Sequence, residues 1–217
     1  MTFPDRVQAI VLLSGGLDSA VALWWAKAQG WSLTALSLNY HERPRGEIVA
    51  SRVLAARVGA EYVEVDLPFV REALDIPGVD ARLQQAPQGY VPGRNLLFYA
   101  VASYYADARG ARHLVGGHTL TDPDAFPDAS PAFFSLIDEA NRLGRYRAEA
   151  APLTVVLPLR ALDKQGVVAL GRRLGVPLDL TWSCYHDAVD PCGACVSCVE
   201  RSEAFLAAGV PAEGQKT

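Results

Sequence analysis

The sequence predicts an α/β fold: a parallel sheet with helices on both faces, followed by a small cysteine-rich region at the C-terminal end. Three observations predict it. Short, largely apolar runs alternate with segments of helical periodicity, as βαβ units with strands covered on both sides require. Glycines stand at 30, 59, 110, 144 and 175, where the helical segments should end in a left-handed cap. All four cysteines of the 217 residues fall between Cys184 and Cys198.

The strands are expected at 7–13, 32–38, 62–65, 113–115 and 154–157. The helices between them are marked by apolar residues at i, i+4, i+7 spacing. Leu17, Val21, Trp24 and Ala28 form one such row, Val49, Val53 and Ala56 a second. Leu97, Val101, Tyr104 and Ala108 form a third, Val167, Leu170 and Leu174 a fourth. Two stretches break the alternation. Residues 67–92 are rich in Pro, Gly and Gln and read as a loop with a short helix. Residues 118–131 read as a polar loop with three prolines. Long loops in an α/β domain tend to carry function. The expected division is an α/β domain over 1–180 and a helical tail over 181–217 packed on it.

Half of the residues are hydrophobic, enough for one sizeable core. A net charge of −4 disfavours a duplex nucleic-acid binder, which would need a basic face. The apolar run before residue 14 is too short to span a bilayer and lacks the flanks of a secretion signal. No membrane or nucleic-acid partner and a cytoplasmic location are therefore expected.

The first strand runs into Ser14-Gly15-Gly16-Leu17-Asp18-Ser19, which opens the first helix. A helix start offers free N–H groups and partial positive charge to an anion. Two glycines let the backbone come close, and Ser14 and Ser19 add hydroxyl donors. The Gly-Lys-Ser/Thr of a Walker loop is missing, as is the third glycine of a dinucleotide fingerprint. Asp18 would repel phosphate; it reads as a helix cap or as a ligand to a magnesium ion accompanying the phosphate. A plain Gly-Gly turn with a capping side chain is the alternative.

The cysteines are spaced Cys184-x7-Cys192-x2-Cys195-x2-Cys198. Four thiolates suit a closed tetrahedral zinc site with a structural role, since no position is left for water. Two disulfides, free thiols or an iron–sulfur cluster are the alternatives.

Ser-Gly-Gly-x-Asp-Ser after the first strand resembles the signature of the PP-loop ATP pyrophosphatases. With Tyr90-Val91-Pro92-Gly93-Arg94-Asn95, Thr181-Trp182-Ser183-Cys184-Tyr185 and the run Cys192 to Arg201, the chain resembles the 7-cyano-7-deazaguanine synthase family from about residue 11 to about 205. The resemblance implies a twisted, Rossmann-like sheet of the adenine nucleotide alpha-hydrolase type and an ATP-dependent ligase of queuosine and archaeosine precursor synthesis. Its substrates would be 7-carboxy-7-deazaguanine, ammonia and ATP. The carboxylate would be adenylated, ammonia would give the amide, and a second adenylation would give the nitrile. ATP with magnesium, a structural zinc and a homodimer are implied with it.

The same resemblance assigns roles. Leu13, Ser14, Gly15, Gly16, Leu17, Asp18, Ser19 and Ala20 would hold the leaving pyrophosphate. Leu36 and Leu38 would line the adenine site, largely through backbone, and Gly116 would face the nucleotide. Asp18, Arg94 and Lys164 would be catalytic, Arg94 pairing with the α-phosphate or the substrate carboxylate. Lys164 follows an expected cap at Asp163 and opposes the helix dipole, so a phosphate would account for it; solvent exposure is the alternative. Tyr40, Arg43, Gly117, His118 and Phe126 would approach the substrate. Asp128 would accept from its guanine-like edge, or serve a turn. Asn95 would contact ligand or cap a helix, and Trp182 and Tyr185 would stack on the substrate or pack the cysteine knot.

The pattern is not complete. Tyr40 and Arg43 are kept, but His41, Glu42 and Pro44 replace family residues, and Ala129-Ser130-Pro131-Ala132 replaces others that could touch substrate or a neighbouring subunit. A related PP-loop synthetase forming an amide or a conjugate is therefore the second reading. An RNA-binding zinc knuckle is disfavoured by the acidic balance. A tRNA thiolase is disfavoured because no cysteine is left to carry sulfur.

Overall fold

The computed structural model describes residues 7–40, 43–69, 90–146 and 152–210. Five parallel strands form one sheet: β1 Gln8–Leu12, β2 Ser32–Asn39, β3 Glu61–Asp66, β4 His113–Val115 and β5 Thr154–Val156. Their order is β3-β2-β1-β4-β5. The chain steps outward from β1 through β2 to β3, then returns to the other side of β1 for β4 and β5. The reversal lies between β1 and β4, and the crevice beyond their carboxyl ends is where open α/β sheets bind ligands.

The helices are α1 Leu17–Ala28, α2 Arg45–Val58, α3 Arg94–Arg109, α4 Asp122–Ala125, α5 Pro131–Gly144, α6 Lys164–Leu174 and α7 Val196–Ala207. Residues 118–131, expected as loop, thus contain the short α4 and a 3-10 turn at Pro127–Ala129. The stretch expected as loop over 67–92 lies mostly outside the described residues.

Strand burial follows the period of two. Ala9, Val11 and Leu13 face one core with Val21, Leu23, Leu54, Val167 and Phe205. Ile10 faces the other with Leu36, Tyr99, Leu114, Phe134 and Ile137. Because both faces of β1 are covered, its sequence reads as a continuous apolar run. Phe205 and Ala204 place α7 in the same core as α1 and α6.

The row on α2 faces another way than expected, and the row on α3 is split, with Leu97 and Val101 packed against the core and Tyr104 turned outward. On α2 the buried side is Ala50, Ser51, Leu54, Ala55 and Val58. Val49 and Val53 are exposed, at 56% and 36%. On α3 the buried side is Asn95, Tyr99, Ala102 and Ala106, while Tyr104 is 70% exposed. On α2 small residues take much of the helix–sheet contact beside the fully buried Leu54, and on α3 alanines do so beside the fully buried Tyr99. Glycines 30, 59, 110 and 175 have the expected left-handed backbone; Gly144 does not, being the last residue of α5 and followed by an extended Arg145.

Leu54→Ala should destabilise the fold by about 2–5 kcal/mol through a core cavity. Val49→Ala should stay within about 0.5 kcal/mol. Urea unfolding of the two variants checks the assignment of the buried face.

Candidate active site and cysteine cluster

The loop after β1 is gripped from several sides. Gly15 has φ 97°, and a Cβ there would lie 2.3 Å from the Glu47 carbonyl oxygen and 2.9 Å from the Ser51 nitrogen. The Gly15 carbonyl accepts from the Trp182 backbone N–H at 2.9 Å. From the β4 side, a Cβ on Gly117 would meet the Asp18 carbonyl carbon and the Ser19 nitrogen at 2.9 Å. Only glycine permits these approaches. Within the loop, the Ser14 and Ser19 hydroxyls lie 3.1 Å apart, and the Ser19 hydroxyl donates to the Gly16 carbonyl at 3.0 Å. Gly16 caps α1 with no side-chain hydrogen bond, so the helix start is left open to an anion. Asp18 does not cap.

Asp18 instead meets Lys164 across the crevice, Nζ to Oδ2 at 2.7 Å. Asp163 caps α6 through the Gly166 N–H at 2.8 Å, as expected. Burial raises the Asp18 carboxyl above its ordinary value, and the Lys164 ammonium only partly offsets this. Burial also works against the Lys164 charge, but Asp18 more than compensates and holds the ammonium protonated. The second oxygen, Asp18 Oδ1, is buried and has no hydrogen-bond partner among the described residues. An orphaned carboxylate oxygen beside an anion-binding helix start fits a hard divalent cation.

The crevice encloses about 630 Å³, within the range of small-molecule sites. Leu36, Leu38 and Tyr40 wall it at the end of β2, with Tyr40 edge-on to Phe98 at 4.9 Å. Leu13, Ser14, Gly16, Leu17, Asp18 and Ser19 form its floor. Gly116, Gly117 and His118 close the β4 side, and Arg94, Asn95 and Phe126 the α3 side, with the Arg94 guanidinium 5.6 Å from the Phe126 ring centre. Lys164 and Trp182 complete the wall. Ala20 is fully buried behind the loop and donates its N–H to the Gly16 carbonyl.

Arg43, Asp128, Asn95 and Trp182, expected as substrate contacts, make hydrogen bonds within the protein. Arg43 is buried, its side chain 3% exposed. It donates to Glu47 at 2.8 Å, to Ser37 and Asn39 at 2.9 Å, and to the Ser14 carbonyl. It therefore braces the phosphate loop against the end of β2. Asp128 and Asn95 hold one another: the Asn95 N–H donates to the Asp128 carboxylate at 3.1 Å, and the Asn95 amide to the Asp128 carbonyl at 2.9 Å. Asp128 thus fixes the start of α3, the helix that carries Arg94. The Trp182 ring packs on Gly46, where a Cβ would come within 2.4 Å, and its indole N–H donates to the Cys184 carbonyl at 2.8 Å.

Sequence reasoning gave no role to several residues that belong here. Glu47 and Glu200 line the crevice. Asp122 sits 3.7 Å from His118 Nδ1. Arg201 is buried and donates to Thr181 at 2.6 Å and to the Leu178 carbonyl at 2.7 Å, tying α7 to the segment that reaches the loop. The run Cys198-Val199-Glu200-Arg201 was the available signal for the last.

The four cysteine sulfurs lie within 4.8 Å of one another, and those of Cys192 and Cys198 are 4.0 Å apart. Tetrahedral thiolates about 2.3 Å from one zinc would be separated by about 3.8 Å, so the cluster is sized for such an ion. The cysteines are not paired as disulfides. Backbone N–H groups of Ala194 and Cys195 pull the Cys192 thiol down to about 6. Burial pushes Cys198 up to about 12. A bound cation would displace that proton.

The fold is an open parallel α/β sheet with a ligand-sized crevice at the switch between β1 and β4. The chain resembles the structure of an NMN synthetase from Francisella tularensis, with a TM-score of 0.57 and 20% identity over 97% of this chain and 80% of that one. It also resembles a 4-thiouridine synthetase–RNA complex with bound ATP, with a TM-score of 0.57 and 16% identity over 94% of this chain and 50% of that one. These likenesses show the fold.

The family is shown by sequence. The model of the queuosine biosynthesis protein QueC matches residues 8–209. The 7-cyano-7-deazaguanine synthase of Trichormus variabilis is 36% identical, covering 94% of this chain and 96% of the relative. That of Thermoplasma acidophilum is 34% identical, covering 94% and 90%. The chain belongs to the QueC family of 7-cyano-7-deazaguanine synthases.

Cys195→Ser should lower bound metal below one equivalent and reduce the thermal midpoint. Metal analysis and calorimetry on the purified variant check this; full metal retention at unchanged stability would contradict the four-thiolate site.

Proposed function

We propose that this chain converts 7-carboxy-7-deazaguanine, ammonia and ATP into the 7-nitrile through an adenylated acid and an amide, releasing AMP and pyrophosphate in each activation. The observation that carries the reading is the open start of α1, its loop braced by Arg43 and its Asp18 paired with Lys164, in a chain of the QueC family. The loop has no Walker lysine, and the N–H groups of α1 favour an anion that stays behind when the α-phosphorus is attacked. Pyrophosphate would rest on the segment from Ser14 to Ser19, with the adenine toward Leu36 and Leu38. Arg94 would sit by the α-phosphate and the substrate carboxylate, neutralising charge that spreads in the transition state. Lys164 would face the same phosphates.

Magnesium would be held by Asp18 Oδ1, whose lack of a partner suits it, and would supply charge neutralisation at the phosphates. Zinc would be held by Cys184, Cys192, Cys195 and Cys198 in a structural role. A homodimer and a cytoplasmic location belong to the same proposal. Among the described residues no helix is long and apolar enough to cross a membrane.

The test is an endpoint assay with the deazaguanine acid, ammonium, magnesium and ATP, following base and nucleotide by mass spectrometry. Nitrile with AMP is expected. Amide with AMP and no nitrile would support the second reading, a related synthetase, and the altered residues 129–132 would be the place to look. Asp18→Ala should lower the rate of pyrophosphate release by about 100-fold or more while leaving the circular dichroism spectrum unchanged.

A further inference from the structure

The reaction proposed above strips three protons from one nitrogen. Ammonia attacks the acyl adenylate: a C–N bond forms, AMP leaves with the C–O electron pair, and the nitrogen gives up one proton. The amide oxygen then attacks the α-phosphorus of a second ATP. An O–P bond forms, pyrophosphate leaves, and the nitrogen loses a second proton to give the neutral adenylated imidate. Finally the C–O bond breaks, AMP leaves, and the third N–H pair closes the C≡N bond as its proton departs. A group beside the reacting carbon must accept these protons and return them to solvent between steps.

The cations assigned so far cannot do this. Lys164 is held protonated by Asp18, and Arg94 is a guanidinium. Tyr99 is fully buried, and burial pushes its hydroxyl far above the ordinary phenol range.

His118 stands where an acceptor is needed. The chain leaves β4 through Gly116 and Gly117, and Gly117 is pressed against the Asp18 and Ser19 backbone. The next side chain therefore enters the crevice beside the phosphate loop, and His118 lines it. Its ring is packed between Phe134 and Tyr99, with centroids 4.8 and 6.0 Å away. Nδ1 faces the Asp122 carboxylate at 3.7 Å. Asp122 is itself pinned by the Thr119 N–H and hydroxyl, both at 2.9 Å. Such a carboxylate favours the tautomer with the proton on Nδ1 and leaves the lone pair on Nε2. A separation of 3.7 Å is longer than a hydrogen bond, and contacts of this kind shorten when a site fills. The other charged groups near His118 are Asp18 from α1 and, beyond Asp122, Lys164 from α6; Tyr99 faces it from α3.

We infer that His118, oriented by Asp122, is the general base that takes the protons leaving the attacking nitrogen. The inference rests on the reaction proposed above. It assigns Asp122 a positioning role, acting through the imidazole.

The test separates adenylation from the nitrogen steps in single turnovers of the full-length protein. Attack of the carboxylate on ATP needs no base, so His118→Ala and His118→Gln should both keep a pyrophosphate burst of wild-type size. Amide formation should slow by about 100-fold or more in both, and added imidazole should restore part of it in His118→Ala. The intact burst also reports a folded site. Wild-type amide formation in His118→Gln would overturn the inference, since glutamine keeps polarity but accepts no proton from nitrogen. So would loss of the burst together with amide formation. Were the wild-type protein itself to give no burst with this acid, the reaction proposed above would fall, and this inference with it.

Discussion

The backbone N–H groups at the start of α1 can meet a phosphate only if the loop before them is held open, and that hold comes from close backbone contact. At Gly15 the chain lies against the carbonyl of Glu47 and the nitrogen of Ser51; at Gly117 it lies against Asp18 and Ser19. A side chain at either place would lift the loop off α2 or off β4. The buried Arg43 adds the polar half of the same constraint, joining Ser37 and Asn39 of β2 to the Ser14 carbonyl. Its planar fork reaches several acceptors at once, which a lysine could not do.

This constraint extends to the cysteine cluster. Trp182 donates its backbone N–H to Gly15 and lays its ring on Gly46. Two residues later the chain reaches Cys184, the first of the four sulfurs, and Arg201 of α7 pulls back on Thr181 and Leu178. The cluster therefore anchors a segment that touches the loop after β1, and Cys184 itself lines the crevice. The proposed ligand site and the four-cysteine cluster share a wall of the crevice through these contacts.

The loop, the strands and the cysteine spacing were legible because each is local. A glycine pair after an apolar run, a short continuous apolar run, and thiols with two residues between them carry their meaning within a few positions. The helix faces were less legible. On α2 the row Val49, Val53, Ala56 is more apolar than the row that is buried, because close packing on a sheet selects Ala50, Ser51 and Ala55 for size. The role of Arg43 was hidden for another reason. An arginine near a phosphate loop looks like a ligand until the residues that accept from it are seen, and Ser14 is 29 positions away. Asp128 and Asn95 are separated by 33 positions and satisfy each other. Asp122 carried no motif at all and gains meaning only from its distance to His118.

A loop that holds a leaving pyrophosphate requires that oxygen from the substrate end on the α-phosphorus. Substrate labelled with ¹⁸O in both carboxylate oxygens would test it in one mass spectrum. The account predicts label in AMP from both activations, with none in inorganic phosphate and no ADP formed. Label in inorganic phosphate, with ADP as the nucleotide product, would mean attack at the γ-phosphorus and would contradict it.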